Sequence, residues 1–165
     1  TVCAIQKQNV AACLKHFPGY GSAGDTHTGF AEEDQMDLKP FKAGIQNGAD
    51  TVLVAHVVIK SFDPQLPASL SPKIHDLLRK KLGFKGVIVT DDLAMGAIRQ
   101  FAETQHVCPE VLAVKAGNDL IMSENVDSGT AAIEQAIKDK QISQKQINQS
   151  VLRILKLKEK LGLLK

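Results

Sequence analysis

The chain has 165 residues, of which 44% are hydrophobic and 23% charged, a composition typical of one globular core and not of a disordered segment. The 20 basic residues nearly balance 18 acidic ones, and no long basic block indicates nucleic acid or an anionic membrane as a partner. No apolar stretch approaches the roughly 20 residues that span a bilayer. Three cysteines at scattered positions match neither a disulfide framework nor a zinc motif. A small-molecule or carbohydrate substrate is therefore favoured.

The first predicted strand lies near residues 10–15, where an apolar run precedes a glycine-rich loop. Beyond it, glycines recur at near-constant spacing, each between a helix-like segment and a short apolar run. These glycines are Gly48, Gly83 and Gly117, and the runs are 51–56, 86–90 and 119–123. A glycine that ends a helix and a short β-branched run are typical of buried parallel strands in βα repeats.

Helix starts are marked by specific residues. Ser71 followed by Pro72 predicts an N-terminus, and Pro109 predicts another. Ser143 with Gln146 predicts a capping box at the start of a long amphipathic helix that ends the chain. The pattern therefore alternates strands with helices.

The predicted fold is α/β, built from about four parallel βα units. Four strands are too few to close a (β/α)8 barrel, so the chain is either a small open sheet or half of a TIM-like barrel. No linker or low-complexity tract divides it, and we expect residues 1–165 to form a single unit.

Polar side chains follow every predicted strand. They are Lys15 and His16 after the first, His56 after the second, Asp91 and Asp92 after the third, and Ser123 and Glu124 after the fourth. Parallel strands end at one rim, which is where α/β proteins place their chemistry. One such residue would be ordinary, but four successive strand ends favour a functional site.

Two pairs of residues allow several interpretations. The Asp91–Asp92 pair can supply a catalytic carboxylate with a structural neighbour, a divalent-metal site, or an N-cap for residues 93–101. Asp25 can orient the imidazole of His27 and stabilise its protonated form, which suits proton transfer near neutral pH. The simpler alternative for this second pair is a loop turn with an exposed histidine.

Residues 15–21 (KHFPGYG) followed by residues 25–27 (DTH) resemble the signature of family 3 glycoside hydrolases of the β-N-acetylglucosaminidase type. Later segments resemble the same catalytic domain in the same order. They are AHV at 55–57, PASLS at 67–71, GFKGVIVTDDLAM at 83–95, AGND at 116–119 and SVLRIL at 150–155. The resemblance covers almost the whole chain and corresponds to the C-terminal half of the family's catalytic barrel.

The resemblance implies a retaining β-N-acetylhexosaminidase that removes terminal β-linked N-acetylglucosamine, for example from peptidoglycan fragments. At the matching positions, Asp91 is the nucleophile that forms a covalent glycosyl-enzyme intermediate. His27 is the acid/base, paired with Asp25, where most glycosidases use a second carboxylate. The loop between Gly21 and Asp25 has three residues where the family usually has four. This one-residue difference shifts the expected position of His27.

The resemblance further implies that Lys15 and His16 bind sugar hydroxyl groups, and His56 is expected to contact substrate or to serve a structural role. It implies no metal or organic cofactor. Nothing in the chain resembles the first half of the barrel, so we expect activity to need the missing N-terminal half, or the chain to self-associate through open sheet edges. The expected location of the protein is either the cytoplasm or the bacterial cell envelope or exterior.

Other functions are compatible with parts of this pattern. Within the same family, the chain could be another β-glycosidase or a phosphorolytic variant. A metal-dependent hydrolase would use His16, His27, His56 and Asp91 as ligands. A half-barrel could also bind carbohydrate or assemble with partners without catalysing a reaction.

Overall fold

A computed structural model describes residues 1–21, 24–29, 31–34 and 36–164 of the protein. None of the helices in these ranges is long and apolar enough to cross a membrane. The helices are α1 (Val2–Gln6), α2 (Lys39–Gln46), α3 (Pro72–Asp76), α4 (Gly96–Gln105), α5 (Pro109–Ala116), α6 (Val126–Lys138) and α7 (Gln144–Lys160), with a 3-10 turn at Ala68–Leu70 and a π-helical turn at Leu77–Lys81. The strands are β1 (Cys13–Phe17), β2 (Glu32–Glu33), β3 (Thr51–Val54), β4 (Val58–Ile59), β5 (Val87–Asp92) and β6 (Leu120–Met122).

The predicted α/β fold with parallel strands is confirmed. Four strands form one parallel sheet in the order β1-β3-β5-β6, and each corresponds to one of the runs predicted from the sequence. Strands β2 and β4 form a separate parallel pair that the sequence did not indicate. Helical segments connect successive strands of the main sheet, as βα repeats require.

Several predicted strand boundaries were wrong by a few residues; the strand predicted over 51–56, for example, ends at Val54. β1 begins at Cys13 instead of near residue 10, because pairing with β3 starts at Cys13 and Thr51 while Val10 remains 55% exposed. At its other end β1 continues to Phe17, which pairs with Val54, so Lys15 and His16 lie within β1 and not after it. Likewise β5 continues through Asp91 and Asp92, because it pairs with β6 up to the contact between Asp92 and Met122.

The helix starts at Ser71 and Ser143 are confirmed by their side chains. Ser71 Oγ accepts a hydrogen bond from the backbone N–H of Ile74, and Ser143 Oγ accepts one from that of Gln146. The second hydrogen bond of the predicted capping box, between the Gln146 side chain and the backbone of Ser143, was wrong. The Gln146 side chain instead donates to the carbonyl of Val114 on α5, because tertiary packing brings that acceptor within reach.

The two faces of the main sheet differ in burial. Val52 and Ile88, paired in register, are fully buried in the cores between the sheet and its helices. On the opposite face, Leu53 and Val89 are only partly buried, and Leu120, in register with Val89, is 43% exposed. In a closed barrel this second face would point inward and be covered by side chains from the other strands.

A buried carboxylate holds the amino-terminal end of β5. Both oxygens of Asp119 are used: Oδ2 accepts from Arg79 at 2.5 Å and from the backbone N–H of Ile88 at 2.9 Å, and Oδ1 accepts from Arg153 at 2.8 Å. The Asp119 side chain is completely buried. This one carboxylate therefore ties the π-helical turn, β5 and α7 together.

Replacing Asp119 with asparagine should destabilise the chain strongly. The substitution keeps the side-chain size but leaves two arginines without their counter-ion, and breaking a buried ion pair on one side costs about 3–5 kcal/mol. The free energy of unfolding in urea measures the loss. Asp76→Asn is the matched control, because Asp76 pairs with Lys80 on the exposed surface, where a loss under about 1 kcal/mol is expected. Equal losses for the two variants would contradict the role given to Asp119.

Candidate active site

Asp91 lies at the carboxyl end of β5 with one oxygen held by the backbone. Its Oδ1 accepts a hydrogen bond of 3.0 Å from the N–H of Asp92, and its Oδ2 lies 3.9 Å from Nε2 of His16. The side chains of Asp91 and His16 are 16% and 32% exposed. The structure therefore brings together two of the predicted site residues, from strands that are separated by β3 in the sheet.

The neighbouring carboxylate of Asp92 supports the turn that follows β5. Its Oδ1 accepts a hydrogen bond of 2.9 Å from the backbone N–H of Ala94. The expectation that Asp92 caps a helix over residues 93–101 was wrong, because α4 begins only at Gly96 and its N-cap position is Met95. The two aspartates thus have different partners, the N–H of Asp92 for Asp91 and the N–H of Ala94 for Asp92.

Asp25 and His27 form the pair that their spacing predicts. Asp25 Oδ1 lies 2.6 Å from His27 Nδ1 and also accepts a hydrogen bond of 2.9 Å from the His27 backbone N–H. The bond from the backbone N–H is the main cause that lowers the pKa of Asp25, so its carboxylate stays ionised at neutral pH. Because a carboxylate only accepts, Nδ1 carries a proton and Nε2 is the ring atom left for proton exchange.

The loop that carries this pair is docked on the beginning of α4. The carbonyl of His27 accepts a hydrogen bond from the N–H of Gly96 at 3.1 Å, and the carbonyl of Thr26 accepts one from Ala97 at 3.2 Å. A Cβ on Gly96 would lie 2.7 Å from the His27 carbonyl oxygen, so only glycine allows this approach. The helix that follows Asp91 therefore also positions the loop. Ser22 and Ala23, in the shortened part of this loop, lie outside the described residues.

Tyr20 links His16 to the loop and was missed by the sequence analysis. Its ring contacts that of His16 edge-on at 5.4 Å between centroids, and its hydroxyl lies 3.0 Å from Oγ1 of the buried Thr26. An open cleft of about 320 Å³ is lined by His16, Tyr20, Gly24, Asp25, Thr26 and His27. A tyrosine between two glycines gave no periodic signal that could have identified it.

The two residues expected to bind sugar have different environments. Burial lowers the pKa of His16, and the nearby Asp91 carboxylate, which acts in the opposite direction, does not outweigh it. His16 is therefore mainly neutral at pH 7. Lys15 is the adjacent residue of β1 and is exposed. Both residues lie on the strand at the edge of the described sheet, beside β3.

His56, for which substrate contact and a structural role were both expected as alternatives, is enclosed by the protein. It is completely buried, and both ring nitrogens are within hydrogen-bond distance of protein atoms, Nδ1 of Ser69 Oγ at 2.7 Å and Nε2 of the Asp92 carbonyl oxygen at 2.9 Å. Packing against the 3-10 turn and the end of β5 encloses the ring. The structural alternative is the one that this geometry favours.

The ligand set of a metal-dependent hydrolase is not assembled within the described ranges. No group of three or more histidine, cysteine, aspartate or glutamate side chains in those ranges is arranged to hold a metal ion. His56, one of the four candidate ligands, already has both ring nitrogens bonded to the protein.

A larger cavity lies at the opposite end of the sheet. Its volume is about 530 Å³, and its lining includes Asp50 and Gly86, which precede β3 and β5, together with residues of α7. Lys160 reaches across to Asp50 at 2.5 Å. Catalytic residues of parallel α/β barrels come from the carboxyl ends of strands, so the smaller cleft and not this cavity is the candidate site.

Comparisons with known proteins agree with the fold and the motifs. Residues 1–157 match the model of the glycosyl hydrolase family 3 N-terminal domain. A β-hexosaminidase of Stenotrophomonas maltophilia is 46% identical over 105 residues, which cover 58% of this chain and 31% of the relative. A β-hexosaminidase of Psychromonas ingrahamii is 38% identical over 139 residues, which cover 79% of this chain and 41% of the relative.

A solved structure of a family 3 enzyme has the same fold as this chain. The family 3 β-N-acetylglucosaminidase of Paenibacillus sp. superimposes with a TM-score of 0.88 and 36% identity over 98% of this chain, which corresponds to 33% of that protein. The chain therefore spans less than half the length of each of these relatives. With a match to the family model over nearly its full length, the chain belongs to glycosyl hydrolase family 3.

Proposed function

We propose that the chain is the C-terminal half of the catalytic barrel of a retaining β-N-acetylhexosaminidase, which releases terminal β-linked N-acetylglucosamine, for example from peptidoglycan fragments. The observation that carries this proposal is the position of Asp91 at a strand end, beside His16 and a loop with a paired aspartate and histidine. The names of the β-hexosaminidase and β-N-acetylglucosaminidase relatives support the same substrate class.

Asp91 acts as the nucleophile in this proposal. The N–H of Asp92 holds Oδ1 of Asp91, while Oδ2 of Asp91 lies 3.9 Å from Nε2 of His16, which lines the cleft. Attack of Oδ2 on the anomeric carbon breaks the glycosidic bond and forms a covalent glycosyl-enzyme intermediate. Because His16 is mainly neutral, it does not neutralise the Asp91 charge that stabilises the oxocarbenium-like transition state.

His27 transfers the proton in both steps. As an imidazolium it donates the Nε2 proton to the leaving oxygen, and as a neutral imidazole it then takes a proton from the water that hydrolyses the intermediate. Asp25 accepts the hydrogen bond from Nδ1 and so orients the ring. A histidine that is neutral during the second step adds no second anion next to the intermediate.

The sugar is held by Lys15 and His16, which offer an ammonium group and an imidazole to ring hydroxyls near Asp91. The exposed face of the sheet and the open edges of β1 and β6 within the described chain leave this pocket without a second wall. We infer that the N-terminal half of the barrel covers that face and contributes further sugar contacts.

A broader β-glycosidase is the second candidate. Both activities stand in the name of one relative, a β-N-acetylglucosaminidase/β-glucosidase of Cellulomonas fimi, which is 30% identical over 181 residues and aligns with 97% of this chain. Chromogenic β-glucoside and β-N-acetylglucosaminide, compared on the same preparation, distinguish the two candidates by their kcat/KM ratio.

Asp91→Asn should reduce turnover of a chromogenic β-N-acetylglucosaminide by about 10³-fold or more, because the nucleophile is lost. The chain is assayed alone and together with the N-terminal half of the barrel, supplied as a separate polypeptide. Asp92→Asn is the matched comparison, since an asparagine Oδ1 can still accept from Ala94, and we expect a loss of about tenfold at most. Equal turnover by the Asp91→Asn variant and the wild type would show that the assignment of Asp91 is wrong.

His27→Ala should lose about 10²–10⁴-fold in kcat on a substrate with a poor leaving group, because that leaving oxygen needs a proton. A dinitrophenyl glycoside, whose leaving group needs no protonation, should react at close to the wild-type rate in the first step. Pre-steady-state release of the phenol measures that step. A loss of the same size on both substrates would indicate that His27 only shapes the loop.

The chain in isolation should not behave as a stable monomer, because one face of its sheet and both sheet edges lack a partner in the described structure. Sedimentation velocity should show self-association or aggregation. Adding the N-terminal half should convert these species into a 1:1 complex. A monodisperse monomer that does not bind the added N-terminal half would contradict the half-barrel proposal.

A further inference from the structure

The hydrogen bonds of His56 define a single protonation state. Its Nε2 faces the carbonyl oxygen of Asp92, which can only accept, so Nε2 carries the hydrogen. Its Nδ1 lies 2.7 Å from the hydroxyl of Ser69. In the neutral ring Nδ1 must then be the acceptor, and Ser69 the donor. Burial lowers the pKa of His56, which keeps the ring in this neutral form.

Ser69 is itself held on three sides. Its N–H donates to the carbonyl of Ala55 at 2.9 Å, next to His56 in the chain. Its carbonyl accepts from the side-chain amide of the buried Asn118 at 2.8 Å, just before β6. The contacts Asn118–Ser69–His56–Asp92 therefore run from the beginning of β6 to the end of β5, through the carbonyl and hydroxyl groups of Ser69, the ring of His56 and the carbonyl of Asp92.

We propose that His56 is a positioning residue for the nucleophile: its Nε2–H, oriented by Ser69, fixes the Asp92 peptide and so fixes the carboxylate of Asp91. This inference rests on the proposed role of Asp91. It replaces the expected contact between His56 and the substrate with a contact to the backbone beside the reacting group.

The geometry explains how a residue that touches no substrate can affect the reaction. The N–H of Asp92 donates to Asp91 Oδ1, and the C=O of the same residue accepts from His56. These two groups lie in the two peptide planes that meet at the Asp92 Cα, so a hydrogen bond that holds the C=O restricts the backbone torsions that set the direction of the N–H. A misplacement of about 1 Å at a reacting group can cost about 10²-fold in rate.

The experiment compares three variants in the chain assembled with the N-terminal half. His56→Leu removes both hydrogen bonds, while His56→Gln keeps a donor for the Asp92 carbonyl. His75→Leu is the control for replacing a buried histidine by leucine, because His75 is 2% exposed and its Nδ1 lies 2.8 Å from the carbonyl oxygen of Ser71 instead of that of Asp92. Two readouts are measured for each: kcat and KM on the chromogenic substrate, and amide hydrogen exchange at Leu93 and Ala94, corrected for global stability.

For a positioning role, His56→Leu should lower kcat by about 10²-fold with KM changed less than threefold, and should accelerate exchange at Ala94 at least tenfold. His56→Gln should recover kcat to within about tenfold of the wild type. His75→Leu should lower the melting temperature while the folded fraction keeps its kcat and its exchange at Ala94.

Two results would overturn the inference. One is equal kcat for the folded His56→Leu and His75→Leu proteins, which would make His56 an ordinary buried residue. The other is unchanged exchange at Ala94 in His56→Leu. If the wild-type assembly hydrolyses no β-N-acetylglucosaminide, the proposed function fails at that point, and the exchange measurement still decides whether His56 holds Asp92.

Discussion

Strand β5 is held at both ends, and the rest of the site depends on that. At its amino end the buried carboxylate of Asp119 accepts from the N–H of Ile88 while it pairs with two arginines. At its carboxyl end the ring of His56 donates to the carbonyl of Asp92. Parallel pairing with β3 and β6 fixes the strand from the sides. The last residues of β5, which include Asp91, therefore have little freedom to move.

The same strand organises the proton-transfer pair. The helix that follows β5 begins at Gly96, and its first backbone N–H groups bind the carbonyls of the loop that carries Asp25 and His27. One βα unit thus positions the proposed nucleophile directly and the proposed acid/base indirectly. Tyr20 adds a second connection, since it contacts both His16 and Thr26. The two halves of the proposed chemistry are linked by backbone hydrogen bonds and one aromatic contact.

Burial divides the charged groups of the site into two kinds. Asp91 and His16 are partly enclosed, and desolvation governs the pKa of the histidine. Asp25 and His27 are mostly exposed, and here a direct hydrogen bond to the loop backbone is what lowers the pKa of the carboxylate. In a complete barrel the second wall would remove water from this rim, which would strengthen the electrostatic interactions of both pairs.

The sequence by itself determined the four strands of the main sheet, the parallel α/β class and the family, because these depend on local periodicity and on contiguous motifs such as KHFPGYG and GFKGVIVTDD. It also predicted the Asp25–His27 pair, since two residues that are close in sequence can meet without long-range folding. Tertiary structure alone decided the position of His56 and the roles of Tyr20 and Gly96. Their partners are Asp92, Thr26 and His27. Burial and hydrogen bonding between segments far apart in the chain leave no local pattern, and so they could be recognised only once the segments were packed together.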